Sequence, residues 1–163
     1  MGPCYGTLYD RRSMDEPRHF QSTAALLPDA RVLVAGGALG ANIDEARFSA
    51  TGQVYSPSYL ERGPRPTIAG APLTMRYGQR FTIHTPDAAE VTEVTLIRLS
   101  ASTQTWNGSQ RRARLAFTAV SGGLEVEAPR DRNLVPPGFY LLFVLNERGV
   151  PSIGRALRVH GEG

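Results

Sequence analysis

The chain has 163 residues, with 18 basic residues that are all Arg, 15 Asp and Glu, 17 Gly, 12 Pro, 41% hydrophobic residues and one cysteine, which suits one compact domain or one domain plus a small annex. The single thiol, Cys4, excludes an intrachain disulfide framework and every multi-cysteine zinc or iron–sulfur site, and a chain without Lys has no P-loop lysine, Schiff-base lysine or lysine general base. The net charge of +3 is spread along the chain, no apolar stretch approaches the roughly 20 residues of a membrane span, and the start MGPCYGTLYDRR lacks the apolar region of a signal peptide. No nucleic-acid partner, no membrane span and no targeting address are expected.

Helix signals are nearly absent. Apolar residues recur with period two or in short blocks, punctuated by Gly, Pro and Asn, and this predicts an all-β fold. The first unit, residues 1–60, is read as a partial β-meander behind a polar N-terminal extension. It has strands at 22–27, 31–35 and 53–56, a tight turn at Pro28-Asp29-Ala30, and a loop over 38–50 with room for one helical turn at 44–48. Residues 61–66, ERGPRP, form a linker. From 67 to 163 the strands 80–85, 91–100, 112–120, 124–129, 139–146 and 154–160, joined by turns such as Asn107-Gly108 and Ser121-Gly122-Gly123, predict an immunoglobulin-like β-sandwich. FYLLFVLN is apolar on both faces and reads as a central strand, with Tyr140, Leu142 and Val144 facing one way and Phe139, Leu141 and Phe143 the other.

Several chemistries fail on their own terms. A dinucleotide loop after RVLVAGG would need glycines at three positions held by Ala35, Gly37 and Gly40, and a following parallel strand, which Pro57 interrupts. His19, His84 and His160 have no second His or carboxylate at metal-ligand spacing, and His84 alternates with Ile83 so as to point away from the core. No Gly-x-Ser-x-Gly elbow is present. The segment STQTWNGSQRR carries the only Trp, Trp106, beside Gln104 and Asn107. An aromatic face flanked by amides suits a neutral sugar, although a single Trp in a small sandwich is more often part of the core. Asn107-Gly108-Ser109 is also a glycosylation sequon in form.

STAALLPDARVLVAGG followed by VYSPSYL, the LIR of Leu96 to Arg98, the triplet Gln110-Arg111-Arg112 and PPGFYLLFVLNERGVPS together resemble the C-terminal part of the galactose oxidase and glyoxal oxidase family, from about Pro17 to His160. The resemblance implies that residues before 61 are the last, kelch-like blade of a β-propeller and that the rest is the sandwich called an early-set domain. It also implies secretion, a copper ion and a cross-linked tyrosyl radical in whole enzymes that oxidise alcohols or aldehydes. The three copper-ligand positions that this chain would supply hold Phe20, Gln21 and Gln104. A phenyl ring has no donor atom, and amide oxygens are poor substitutes for imidazole and phenolate at copper.

The resulting expectation is a non-catalytic structural or binding module with no cofactor and no metal, the alternative being a piece of a copper-radical oxidase. Any ligand site, for carbohydrate, should lie at Phe20, Gln21, Gln104, Trp106 and Asn107. Leu26, Val32, Val34 and Val54 would leave apolar surface and an unpaired strand edge on an incomplete blade, and DRRSMDEPR is too polar to close it as a strand. Residues 19–60 are therefore expected to meet a protein partner or a second copy of the chain.

Overall fold

The structure is a computed structural model that describes residues 14–38, 48–103 and 106–161. The regular secondary structure of the described residues is almost entirely β. Strands β1 (Ser22–Leu26), β2 (Val32–Gly36) and β3 (Gly52–Tyr55) form an antiparallel meander, followed by a 3-10 turn at Ser58–Glu61. The sandwich comprises β4 (Thr74–Met75), β5 (Arg80–His84), β6 (Val91–Arg98), β9 (Arg112–Leu115), β10 (Phe117–Val120), β11 (Gly123–Glu127), β12 (Gly138–Asn146) and β13 (Arg155–Val159). A short hairpin, β7 (Ser102–Thr103) with β8 (Trp106–Asn107), interrupts it. One sheet runs β10-β11-β5 and the other β4-β13-β12-β6-β9.

The architecture is the expected one, an immunoglobulin-like sandwich preceded by a meander, and β12 is central in the five-stranded sheet. Its alternation divides two cores. Tyr140, Leu142 and Val144 face the interior with Ile83, Val94, Leu96, Leu124 and Val126, all buried. Leu141 and Phe143 face the other way and pack with Ala30, Leu26, Tyr59, Leu60 and Ile97, which belong largely to the meander and the 3-10 turn. Phe139 lies on that outer face beyond the cover and is exposed.

Three differences from the sequence reading have physical causes. The strand expected at 112–120 is two strands in different sheets: β9 pairs with β6, β10 pairs with β11, and the chain crosses between sheets at Ala116. Ala113, Leu115 and Phe117 all pack towards the interior, so the period-two pattern runs unbroken through the crossing. The parallel pair of β4 with β13 and the hairpin β7–β8 were not expected, being too short for periodicity to register. The segment expected as a helical turn at 44–48 falls mainly outside the described residues.

The segment 61–66 is fastened to the sandwich. Arg65 donates to the carbonyls of Pro151 and Ser152 at 2.9 and 2.8 Å, and the buried Asn146 donates to the carbonyl of Pro64 at 3.1 Å. The turn at 28–30 closes against the same region. Ala30 adopts φ 64° with its carbonyl accepting from the Tyr59 hydroxyl at 2.7 Å, and Gly154 N–H donates to Pro28 O at 2.7 Å. A Cβ at Gly154 would stand 2.7 Å from the Phe143 ring, so only glycine permits this approach.

Phe143→Ala removes the side chain that joins the two layers, and truncation of a buried Phe costs about 3–5 kcal/mol. The expected outcome is a melting temperature lowered accordingly, with hydrogen exchange accelerated more in β1–β3 than in β5 and β11. Equal acceleration in both would show that the layers do not meet through Phe143.

Candidate functional site

Phe20 and Gln21 lie in the turn that enters β1. His19 N–H donates to Ala38 O at 3.0 Å and Ala38 N–H to Phe20 O at 2.9 Å, which extends the β1–β2 pairing beyond the strand ends. The Phe20 ring is half-buried and meets Phe48 edge-on, with centroids 6.0 Å apart and an interplanar angle of 80°. Phe48 is 59% exposed, so the pair sits at the surface. Gln21 is exposed and left-handed, with φ 60°, a conformation in which few non-glycine residues are found.

Gln104 lies outside the described residues. Trp106 and Asn107 form β8, paired with Thr103 and Ser102 of β7, and both short strands lie beside β1. The fold thus brings the hairpin next to the strand that Phe20 and Gln21 enter. Among the described residues no group of three His, Cys, Asp or Glu side chains is placed to hold a metal ion. His19 and His84 are exposed, and His84 points out of β5 beside the buried Ile83 as its alternation predicts.

A residue that the sequence reading passed over organises this end of the molecule. The Arg18 side chain is 1% exposed. Its Nη1 donates to Gly36 O at 2.8 Å, Ser49 Oγ at 3.1 Å and Thr51 O at 3.1 Å, and its Nη2 to Thr51 Oγ1 at 2.8 Å. Glu16 stands 3.8 Å from Nη2 and accepts from Ser49 Oγ and Thr51 Oγ1 at 2.8 and 2.7 Å. These hydrogen bonds, Thr51 first and Ser49 second, hold the Glu16 carboxyl below its ordinary range; Arg18 adds to the effect and burial opposes it. One residue earlier, Asp15 and Gln53 exchange two hydrogen bonds at 3.2 and 2.6 Å. Residues 15–18 therefore clamp the approach to β3 through side chains without adding a strand, in keeping with their polar, Pro-containing sequence. Only a polar accounting of where the ends of β2 and β3 find donors could have pointed to Arg18, because the residue reads as one more solvated arginine.

Comparison with known proteins places these features. Residues 65–159 match the family model described as galactose oxidase-like, early set domain. Galactose oxidase from Gibberella zeae is 34% identical over 164 aligned positions that cover 96% of this chain and 24% of that protein. An aldehyde oxidase, GLOX, from Vitis pseudoreticulata is 32% identical, over 85% of this chain and 29% of its own length. A solved structure of a fungal alcohol oxidase of the AA5 family, in complex with copper, superimposes with a TM-score of 0.83 at 33% identity, covering 98% of this chain and 35% of that one. The chain spans about a quarter of the length of the curated relatives it matches.

Arg18→Ala removes the side-chain donors to Gly36 O, Thr51 O, Ser49 Oγ and Thr51 Oγ1 and should lower the melting temperature. The Glu16 carboxyl, lower in the folded than in the unfolded chain, stabilises the fold fully above pH 4.5 and progressively less as pH falls through its folded value. Thermal melts between neutral and acid pH should show this limb in the native chain and a shallower one in Glu16→Gln. Identical acid limbs would refute the assignment.

Proposed function

The chain belongs to the galactose oxidase-like early-set family, and on that footing we propose that it is a non-catalytic module of the family whose role is structural and binding. The observation that carries this reading is the fate of the first copper-ligand position. Where the resemblance calls for a metal-binding phenol, Phe20 makes an aromatic pair with Phe48. The other two positions hold Gln21 and Gln104, so the donor set does not suit copper, whose sites favour imidazole and thiolate nitrogen and sulfur or a phenolate.

The partner reading rests on the meander. It presents Phe48 and Val54, 59% and 46% exposed, and among the described residues its outer strand, β3, pairs with β2 on one side only, Gln53 on that strand bonding to Asp15. A further β unit, supplied by more of the same polypeptide, by a second copy or by another protein, would dock on residues 19–60 and bury roughly 1,000 Å² if the contact is specific. The boundary between this meander and the sandwich is placed at 61–66. A second reading, in which the chain is one part of a copper-radical oxidase, is favoured by the small share of each oxidase that it covers. Carbohydrate binding at the hairpin is a narrower version of the first reading, supported by the position of β7–β8 beside β1.

Copper reconstitution with metal analysis and optical spectroscopy separates the two readings. The expected outcome is no stoichiometric copper and no tyrosyl-radical band, and either signal would overturn the non-catalytic reading. Light scattering after size exclusion should give a mass above the monomer. A strictly monomeric mass at high concentration, with fast amide exchange throughout 19–37, would remove the docking role. A glycan panel followed by fluorescence of the single Trp tests the hairpin, and no response to any sugar removes carbohydrate.

A further inference from the structure

We propose that the cavity between the meander and the outer face of the five-stranded sheet binds a small uncharged apolar molecule of about the size of one aromatic ring, and that this occupant ties the meander to the sandwich. The inference is independent of the copper and docking arguments, since it uses neither Phe20 nor the exposed side of the meander.

The cavity lies beside the contact that joins the two layers. Leu26, Ala30 and Tyr59 reach it from the meander and the 3-10 turn, and Ile97, Phe143 and Leu145 from β6 and β12. Alternation puts these sheet residues on the outer face, because Val94 and Leu96 of β6 and Leu142 and Val144 of β12 fill the interior core on the opposite one. The volume is about 150 Å³. An apolar cavity of about this size stays dry and accepts a single benzene ring. A wider section, to which Val32 contributes, shares Leu26, Ile97 and Arg112 with it and gives an occupant its way in.

The walls select against charge and against sugars. Both hydroxyl protons of the lining are committed, Tyr59 donating to Ala30 O at 2.7 Å and Thr95 to Ala113 O at 3.1 Å. Burial pushes the Tyr59 hydroxyl above its ordinary range, and this effect exceeds that of Arg65, which opposes it. Among the described residues Arg112 is the one charged member of the lining, and its guanidinium bonds to Glu93, which also accepts from Arg114 at 2.9 Å. A carboxylate would have to compete with Glu93 for Arg112, an ammonium would meet no anion in the walls, and a sugar would lose hydrogen bonds that the walls do not replace. A hydrocarbon gives up none and gains burial. Because the walls come from both layers, an occupant adds contact across the boundary that Ala30 and Phe143 already hold, and it stabilises that contact by mass action.

Titration of the full chain with toluene, followed by NMR of the methyl groups, tests the site. The expected result is saturable binding with a Kd of about 1 mM or tighter, with shifts at Leu26, Ile97 and Leu145 and none at Leu124 and Val126 in the interior core. Amide exchange in β1 and β2 should slow, and the melting temperature should rise with toluene concentration. Benzoate and benzylamine should bind at least about tenfold more weakly. Ile97→Phe puts a ring into the cavity from its own wall and should abolish toluene binding; if that variant does not fold, the methyl shifts and the charged analogues decide. Four outcomes would overturn the proposal: no saturation by toluene, shifts centred on the interior core, benzoate or benzylamine binding as tightly as toluene, or native toluene affinity in a folded Ile97→Phe.

Discussion

Strand β12 is the element on which the rest depends, because it is apolar on both faces and each face is the floor of a different core. Tyr140, Leu142 and Val144 close the sandwich, while Leu141 and Phe143 hold the meander. A strand of this kind must be covered twice, since leaving either face in water exposes several large side chains at a cost of about 1.5–3 kcal/mol each. The meander is that second cover. Its turn at 28–30 and the 3-10 turn at Ser58–Glu61 deliver Ala30, Tyr59 and Leu60 onto the outer face, and the glycine at 154 lets the turn come close enough to seat on Phe143.

Much of this was legible in the sequence because it rests on period two. FYLLFVLN states its own two-sidedness, the run VLVAG its strand, and Pro28-Asp29-Ala30 its turn. The pattern was silent where geometry changed without changing the alternation. At Ala116 the chain leaves one sheet for the other while Ala113, Leu115 and Phe117 continue to face inward, so sequence alone reads a single strand. Parallel pairing of β4 is equally hidden, being two residues long and joined to a partner more than 80 positions away. For the candidate site, residue types alone gave a phenyl ring and amides, while their surroundings came only with the fold: a T-shaped ring contact for Phe20 and a left-handed backbone for Gln21.

Arginine carries a share of the architecture that composition does not announce. Arg18 reaches the carbonyls of Gly36 and Thr51, Arg65 those of Pro151 and Ser152, Arg111 those of Asn133 and Leu134, and Arg155 that of Ile68. These guanidiniums add donors to carbonyls at strand ends and in irregular segments, Thr51 O accepting from Gly36 N–H as well, and where two carbonyls diverge from one side chain its fork does what a point-like ammonium does less well. In a chain with no lysine, positive charge is thus partly a device for tying irregular segments to one another, which is why a net charge of +3 does not read as a surface for polyanions.

The separation of fold from site is sharpest across residues 18–21. The Arg18 side chain is buried and bonded to three residues of the meander, so its replacement disturbs β2 and the approach to β3 together. Two positions later Phe20 lies half-buried at the surface, and the next residue, Gln21, is exposed. Neither belongs to the two buried cores. The hairpin carrying Trp106 and Asn107 is likewise an appendage between β6 and β9, and pairing of those two strands does not pass through it. Side chains at such places can change their chemistry without cost to either core, because the alternation of β12 and the clamp at Arg18 fix the backbone independently of them. A chain can therefore keep both cores of this fold while the side chains at positions 20 and 21 vary.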